Sequence, residues 1–242
     1  MNLIVDVGNT FVKFAIFKDG KLLDKIAFEL IEFKNRFKSY HKKYPDLTHC
    51  IISSVGRLSK QHVKLVKEKL EILELDTATK LPFKNSYKTP KTLGVDRIAL
   101  VSASVQQYND RNVLIIDAGT CITYDFITKE NEYLGGAISP GIRLRYRTLN
   151  NLTANLPLLE THQPKSIIGN TTETSIHSGV VTGAIKEIDG VIDEYLKKYP
   201  DLTVILTGGD AKFLSNQLKN SIFANSNFLL EGLNFILEYN SK

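Results

Sequence analysis

Two cysteines in 242 residues are too few for a disulfide framework. Both, Cys50 and Cys121, sit in apolar strand-like runs, so the expected setting is a reducing cytoplasm. The five histidines are scattered without metal-ligand spacing, and no zinc site is expected. No apolar run approaches the roughly 20 residues of a membrane helix. Met1-Asn2-Leu3 leads directly into an apolar run, leaving no room for a signal peptide. The chain contains no G-x-x-x-x-G-K-[ST], which excludes a P-loop enzyme. Ser178-Gly179 does not stand in a nucleophile elbow. Charge of one sign is also scarce, with 31 basic against 26 acidic residues and a net charge of +5. The lysines are spread, as between Lys60 and Lys69 where Glu68 and Glu71 interleave. They read as solvated helix faces, and no nucleic-acid stripe is expected.

What is present is a core. Hydrophobic residues make up 43% and charged residues 24%, a globular composition, and the length suits two similar domains. The most informative stretch is Leu3-Ile4-Val5-Asp6-Val7-Gly8-Asn9-Thr10. A short, β-branched, unbroken apolar run reads as a buried strand. It ends in an acid, a glycine that permits a tight turn, and two small polar residues. Asp6 there can hold a hydrated cation and would repel a bare phosphate, which suits a metal-bound polyphosphate. The same grammar returns as Val113-Leu114-Ile115-Ile116-Asp117-Ala118-Gly119-Thr120. Each copy is followed by a second strand and a hairpin signal, Lys18-Asp19-Gly20 in one and Thr128-Lys129-Glu130 in the other. Two such copies, each heading half the chain, predict a duplicated α/β fold. Residues 1–110 and 111–242 are the expected halves, with a phosphate cleft between them.

Along the chain, residues 3–28 read as a three-stranded meander and residues 31–43 as a helix. His49 to Val55 reads as a strand, Ser59 as a helix cap, and Ile72 to Leu75 as a short strand. Residues 77–93, rich in Lys, Thr and Pro, read as a long loop of the kind that carries function. Gly94 then opens a helix with an apolar face (Ile98, Val101, Val105, Tyr108) and a small-residue face (Ala99, Ser102, Ala103). Gly135 to Gly141 reads as a glycine-rich turn that could admit phosphate to a helix N-terminus. Thr172 to Tyr199 reads as one long helix with an apolar stripe. Val204 to Leu206 reads as a strand entering Thr207-Gly208-Gly209-Asp210, and a last helix is expected near residues 229–239. The two-faced helix after Gly94 and the stripe of the long helix both suggest a second copy of the chain.

Asp96-Arg97 is the candidate for chemistry. A carboxylate in a helix's first turn is favoured in its ionised form by the helix dipole and could accept a hydroxyl proton. Arg97 could hold a carboxylate bidentately. A cap plus an exposed charge is the plainer reading of the same pair. Lys13 could touch phosphate or be an ordinary exposed strand lysine.

Taken together, DVGNT (Asp6 to Thr10), GVDR (Gly94 to Arg97), DAGT (Asp117 to Thr120), GGAISPG (Gly135 to Gly141) and TGGDA (Thr207 to Ala211) resemble type III pantothenate kinases. The order is right and the whole chain is covered. DVGNT alone is shared across sugar kinases, actin and heat-shock ATPases. The resemblance implies a duplicated ribonuclease-H-like fold of the actin-like, sugar-kinase superfamily. It also implies a homodimer and phosphorylation of pantothenate by ATP with Mg²⁺, the first step of coenzyme A synthesis. By position it implies an ATP phosphate loop at Asp6, Val7, Gly8, Asn9, Thr10, Phe11, Val12 and Lys13, with Asp6 orienting Mg²⁺ through water. Asp96 would be the general base. Tyr87, Gly94, Val95, Asp96, Arg97 and Thr172 would line the pantothenate site. Asp117 would hold a monovalent cation, K⁺ or NH₄⁺, and Thr120 would touch ATP. Phe11 departs from the family, where a polar residue is commoner, and Lys13 is not a fixed family feature. The rival readings are a non-catalytic nucleotide-binding regulatory relative and a sugar kinase of the same superfamily.

Overall fold

The computed structural model of the chain describes residues 1–8, 11–54, 58–76 and 78–241. The chain forms two compact units: Met1–Asn109 together with Asn227–Lys242, and Asp110–Ser226.

The first unit begins with an antiparallel meander, β1 (Asn2–Val7), β2 (Val12–Lys18) and β3 (Lys21–Phe28). Asp19 and Gly20 turn β2 into β3 with φ of 50° and 73°. Two positive φ angles give the turn whose twist matches the flanking strands. Helix α1 (Phe33–Lys43) follows, then β4 (His49–Ser54) parallel to β1. Ser59 caps α2 (Lys60–Lys67), and β5 (Glu71–Glu74) pairs parallel with β4. The sheet order is β3-β2-β1-β4-β5.

Strand periodicity sorts the side chains of this sheet. Leu3, Val5, Val7, Phe14, Ile16, Cys50 and Ile52 form a core with Phe33, Phe37 and Val66 from α1 and α2. Asn2, Ile4 and Asp6 therefore point to the opposite face. The long segment beyond β5 contains a two-residue strand β6 (Lys84–Asn85) and a 3-10 turn at Pro90–Thr92 before α3 (Val95–Gln107).

The second unit repeats the plan. Strands β7 (Val113–Ala118), β8 (Cys121–Ile127) and β9 (Glu132–Pro140) form the meander. Helix α4 (Ile142–Asn151) comes next, then α5 (Thr172–His177), a π-helical turn (Ser178–Thr182) and α6 (Gly183–Lys198). Strand β10 (Thr203–Thr207) is parallel to β7; α7 (Ala211–Ser215) leads to β11 (Phe223–Ala224), parallel to β10. The strands run β9-β8-β7-β10-β11, the order of the first unit. This is the duplicated ribonuclease-H-like architecture.

Two expectations need correction. The last helix, α8 (Phe228–Asn240), belongs to the first unit, not to the half counted from residue 111. It packs on β1, β4 and α3, and Asn2 Nδ2 donates to Asn234 Oδ1 at 2.9 Å. It thereby covers α3, so the two-faced character of α3 does not require a second copy. The apolar stripe of α6 is likewise buried in its own unit, where Ile188 and Ile192 meet β7 and β10. Among the described residues no helix is long and apolar enough to cross a membrane.

Candidate active site

Strand β1 is central and buried, and Asp6 stands near its C-terminal end, where ligands of open α/β sheets collect. Asp6 is only 7% exposed. Its register partner on β2 is Lys13, and the two share the sheet face opposite the α1–α2 core. The lysine amine lies 3.4 Å from Asp6 Oδ2. Burial pushes the Asp6 carboxyl above its ordinary value; Lys13 pulls it down, and the charge of Asp96 pushes it up again. A desolvated carboxylate facing a second acid is a place for a cation. Val7 and Val12 pair with each other and are core residues, so of the loop they serve the sheet. Gly8 N–H donates to the Phe11 carbonyl at 3.0 Å, closing the turn. Phe11 is half-exposed. Asn9 and Thr10 lie outside the described residues.

Helix α3 supplies the second set. Gly94 is its N-cap and Asp96 lies in its first turn. Asp96 Oδ1 accepts the Arg97 backbone N–H at 2.8 Å, so the carboxylate folds back over the helix start. A Cβ on Gly94 would collide with that same oxygen. The glycine before Val95-Asp96 is thus the space in which the carboxylate sits. Arg97 is buried, at 5% exposed, and its guanidinium carbon is 5.5 Å from the centroid of the Tyr87 ring, within cation–π range. The first unit therefore groups Asp6, Lys13, Asp96, Arg97 and Tyr87, with Gly94 and Val95 at the helix start that carries Asp96 and Arg97.

Asp117 and Thr120 stand in the second unit, at the end of β7. Gly119 N–H donates to the Cys121 carbonyl at 2.9 Å, and Gly141 N–H donates to the Thr120 carbonyl at 3.0 Å. The exposed Thr120 turn is thereby tied to the N-cap of α4. Thr207 pairs with Asp117, and Asp210 N–H donates to the Ala118 carbonyl at 2.9 Å, so the Thr207 to Asp210 turn closes on the same strand end. Burial raises the Asp210 carboxyl and Arg143 opposes this.

The two turns differ in length. In the first, Val7 pairs with Val12; in the second, Ala118 pairs with Ile122. The second is one residue shorter. Thr123 stands opposite Asp117, where the first unit has Lys13 opposite Asp6. Thr123 Oγ1 is buried with no hydrogen-bond partner among the described residues. A carboxylate beside an unclaimed hydroxyl oxygen fits a cation held by oxygen ligands.

Gly135 to Pro140 is strand, not turn. Gly136 pairs with Asp125 in the β8–β9 ladder, and a Cβ there would strike the Tyr124 carbonyl. At about 3.3 Å per residue, Gly135 lies about 20 Å of chain from the start of α4. Only Gly141 sits at the helix start. Thr172, exposed, opens α5 behind a Thr171–Thr174 capping box. It lines a groove of about 820 Å³ with Leu149, Asn170 and Ser175. It belongs to the second unit, apart in sequence from Asp96.

One network had no signal in the sequence. Arg145 on α4 donates through Nη2 to Glu187 on α6 at 2.5 Å and to Ser139 Oγ at 3.1 Å, and through Nε to the Pro140 carbonyl at 2.9 Å. Tyr124 OH donates to Glu187 Oε1 at 3.0 Å. Burial pushes the Glu187 carboxyl up, but the bonds from Arg145, Ser139 and Tyr124 hold it below its ordinary value. The network braces the strand end just before Gly141.

A model of the type III pantothenate kinase family matches residues 2–194. The chain belongs to the type III pantothenate kinase family. A relative of that description from Christiangramia forsetii is 53% identical over 240 residues, 99% of each chain. Another, from Flavobacterium johnsoniae, is 50% identical over 239 residues, 99% of this chain and 98% of its own. Among solved structures, a conserved Baf family protein from Campylobacter jejuni superposes with TM-score 0.66 at 22% identity, covering 99% of this chain and 98% of its own. A glucokinase from an Antarctic psychrotroph gives 0.52 at 12% identity, covering 98% of each. Both show the fold.

The Gly94 geometry makes a specific prediction. In Gly94→Ala the new methyl displaces the Asp96 carboxylate, while φ of −61° suits alanine. Melting temperature should stay within a few degrees of the parent, and turnover should fall at least about tenfold, as for a misplaced reacting group.

Proposed function

We propose that this chain transfers the γ-phosphoryl group of ATP to the primary hydroxyl of pantothenate, giving 4′-phosphopantothenate, the first step of coenzyme A synthesis. A kinase of this family uses ATP and a divalent metal and acts on a small molecule. The observation that carries the reading is the grouping of a helix-start carboxylate, Asp96, with a buried cation-demanding carboxylate, Asp6, and a buried arginine, Arg97, in a chain of this family.

Phosphoryl transfer depends mainly on positioning and on neutralising charge. A bound Mg²⁺ would supply charge neutralisation for the phosphates. Asp6 would hold the hydrated ion, and Val7, Gly8, Phe11, Val12 and Lys13 would serve the phosphates. Asp96 accepts the hydroxyl proton as the new P–O bond forms. The back-bond from the Arg97 N–H fixes its oxygen, and Gly94 and Val95 leave that oxygen open to the acceptor. Arg97, held against Tyr87, presents a forked donor set to the acceptor carboxylate. Tyr87 and Thr172 supply neutral donors to the remaining hydroxyl and amide. Asp117 holds a monovalent cation, K⁺ or NH₄⁺, with Thr123 as its neutral neighbour, and Thr120 touches ATP. A row of sugar hydroxyls would need several matched polar side chains, which this segment of Lys, Thr and Pro offers sparingly.

The active form is a homodimer in this reading. Its support is the exposure of Leu152, Leu158, Ile167 and Ile168, each more than half exposed on the segment between α4 and α5, which suits an interface. Light scattering at micromolar concentration should give twice the chain mass; a monomer there rules the dimer out.

Pantothenate, pantetheine, glucose and N-acetylglucosamine, offered together at equal concentration with ATP, test the acceptor. Pantothenate should be phosphorylated and both sugars left intact. Phosphorylation of a sugar alone would make this a sugar kinase, and no transfer would favour the regulatory reading. In Asp96→Asn, transfer should drop by about 10³-fold, within the usual range for a lost general base, while nucleotide affinity stays near that of the parent. Asp117→Asn should remove the dependence of turnover on K⁺ or NH₄⁺. If the parent protein is equally active in Na⁺ and K⁺, Asp117 has no such role.

A further inference from the structure

Asp6 and Lys13 are directly opposed across β1 and β2, so the backbone register alone brings the amine to the carboxylate. The partners are unequal. The Asp6 side chain is almost entirely enclosed, whereas half of the Lys13 side chain is in solvent. The separation of 3.4 Å exceeds the roughly 2.7–2.9 Å of a tight charge-assisted bond. The pair is loose, with its cation on a flexible four-carbon stem. A buried carboxylate with a second acid nearby still needs positive charge beside it, and among the described residues Lys13 is its ion-pair partner.

The proposed function puts another cation at the same carboxylate. A hydrated divalent ion and an ammonium group cannot both crowd one enclosed oxygen pair without repelling each other. We infer that Lys13 is the resident counter-ion of Asp6 in the nucleotide-free protein, and that the metal–nucleotide complex displaces it. The inference rests on the assignment of Asp6 to the metal. Its consequence is an order of binding. Bare Mg²⁺ meets a carboxylate that is already paired and offers the displaced lysine nothing. The metal–nucleotide complex brings its own anion, and the freed amine turns to the polyphosphate oxygens. Lys13 thus keeps bare divalent metal out of the site and admits it with nucleotide. It is a positioning residue for the metal; at the corresponding place opposite Asp117 the second unit has Thr123.

The test uses Mn²⁺ as the probe, with free ion measured by electron paramagnetic resonance on the full chain. Lys13→Met removes the charge and keeps the stem, and Lys13→Gln serves if the methionine variant does not fold. Without nucleotide, either variant should bind Mn²⁺ about tenfold more tightly than the parent, the scale expected for removing one nearby like charge. Its affinity for the Mn²⁺ complex of a non-hydrolysable ATP analogue should fall. Lys13→Arg, which keeps the charge, should restore both values. Adding Asp6→Asn to Lys13→Met should erase the gain in bare-metal binding. If Lys13→Met binds bare Mn²⁺ no better than the parent, the counter-ion role is overturned while Asp6 keeps its assignment. If the gain survives Asp6→Asn, the metal is not at Asp6, and the assignment of Asp6 fails with it.

Discussion

A carboxylate at the end of a buried strand is the constraint on which this structure turns. Asp6 is carried into a nearly dry position by β1, whose Leu3, Ile4, Val5 and Val7 are buried. Such a charge persists only with a cation at hand. The register of β1 and β2 supplies Lys13, and the start of α3 brings Asp96 near enough to sharpen the demand for positive charge. The packing of α3 and α8 on the face that carries Asp6 keeps water from relieving the charge. What the rest of the first unit accomplishes is to hold these groups still while leaving one side open.

The second unit carries the same plan with a different neighbour for its acid. The five strands of the first sheet have counterparts in the same order in the second, and both central strands carry an acid one residue from their end. The residue opposite the acid is Lys13 in the first unit and Thr123 in the second. One copy becomes a carboxylate with an ammonium partner, the other a carboxylate with a neutral oxygen neighbour. The two copies thus give their acids neighbours of different character. The bracing network of Arg145, Glu187, Tyr124 and Ser139 fixes the strand end and helix start next to the second of them.

Much of this was legible in the residues. Short apolar runs ending in Asp-x-Gly marked both central strands, because buried parallel strands need no polar alternation. Asp19-Gly20 marked a hairpin because it supplies two positive φ angles. Gly94 to Arg97 marked the helix start. Other features follow from long-range pairing that spacing does not encode. Gly135 and Gly136 look like a turn, yet Gly136 is needed because β8 approaches too closely for a side chain, and Gly135 has φ of 109°. The return of α8 to the first unit is invisible in chain order, since nothing local says which sheet a terminal helix covers. Arg145 and Glu187 meet on separate helices with no periodic relation. The π-helical turn at Ser178–Thr182 interrupts what reads as one helix, and its apolar stripe continues through the interruption.

The central claim is that these carboxylates and Arg97 direct phosphate to an alcohol and not to water. Phosphorus NMR of the purified chain with ATP, Mg²⁺, K⁺ and pantothenate measures this directly. The account predicts loss of the γ-phosphate signal matched one-to-one by a phosphomonoester signal and by ADP, with inorganic phosphate a minor product. ADP accompanied chiefly by inorganic phosphate, or no loss of ATP while pantothenate is present, would contradict it.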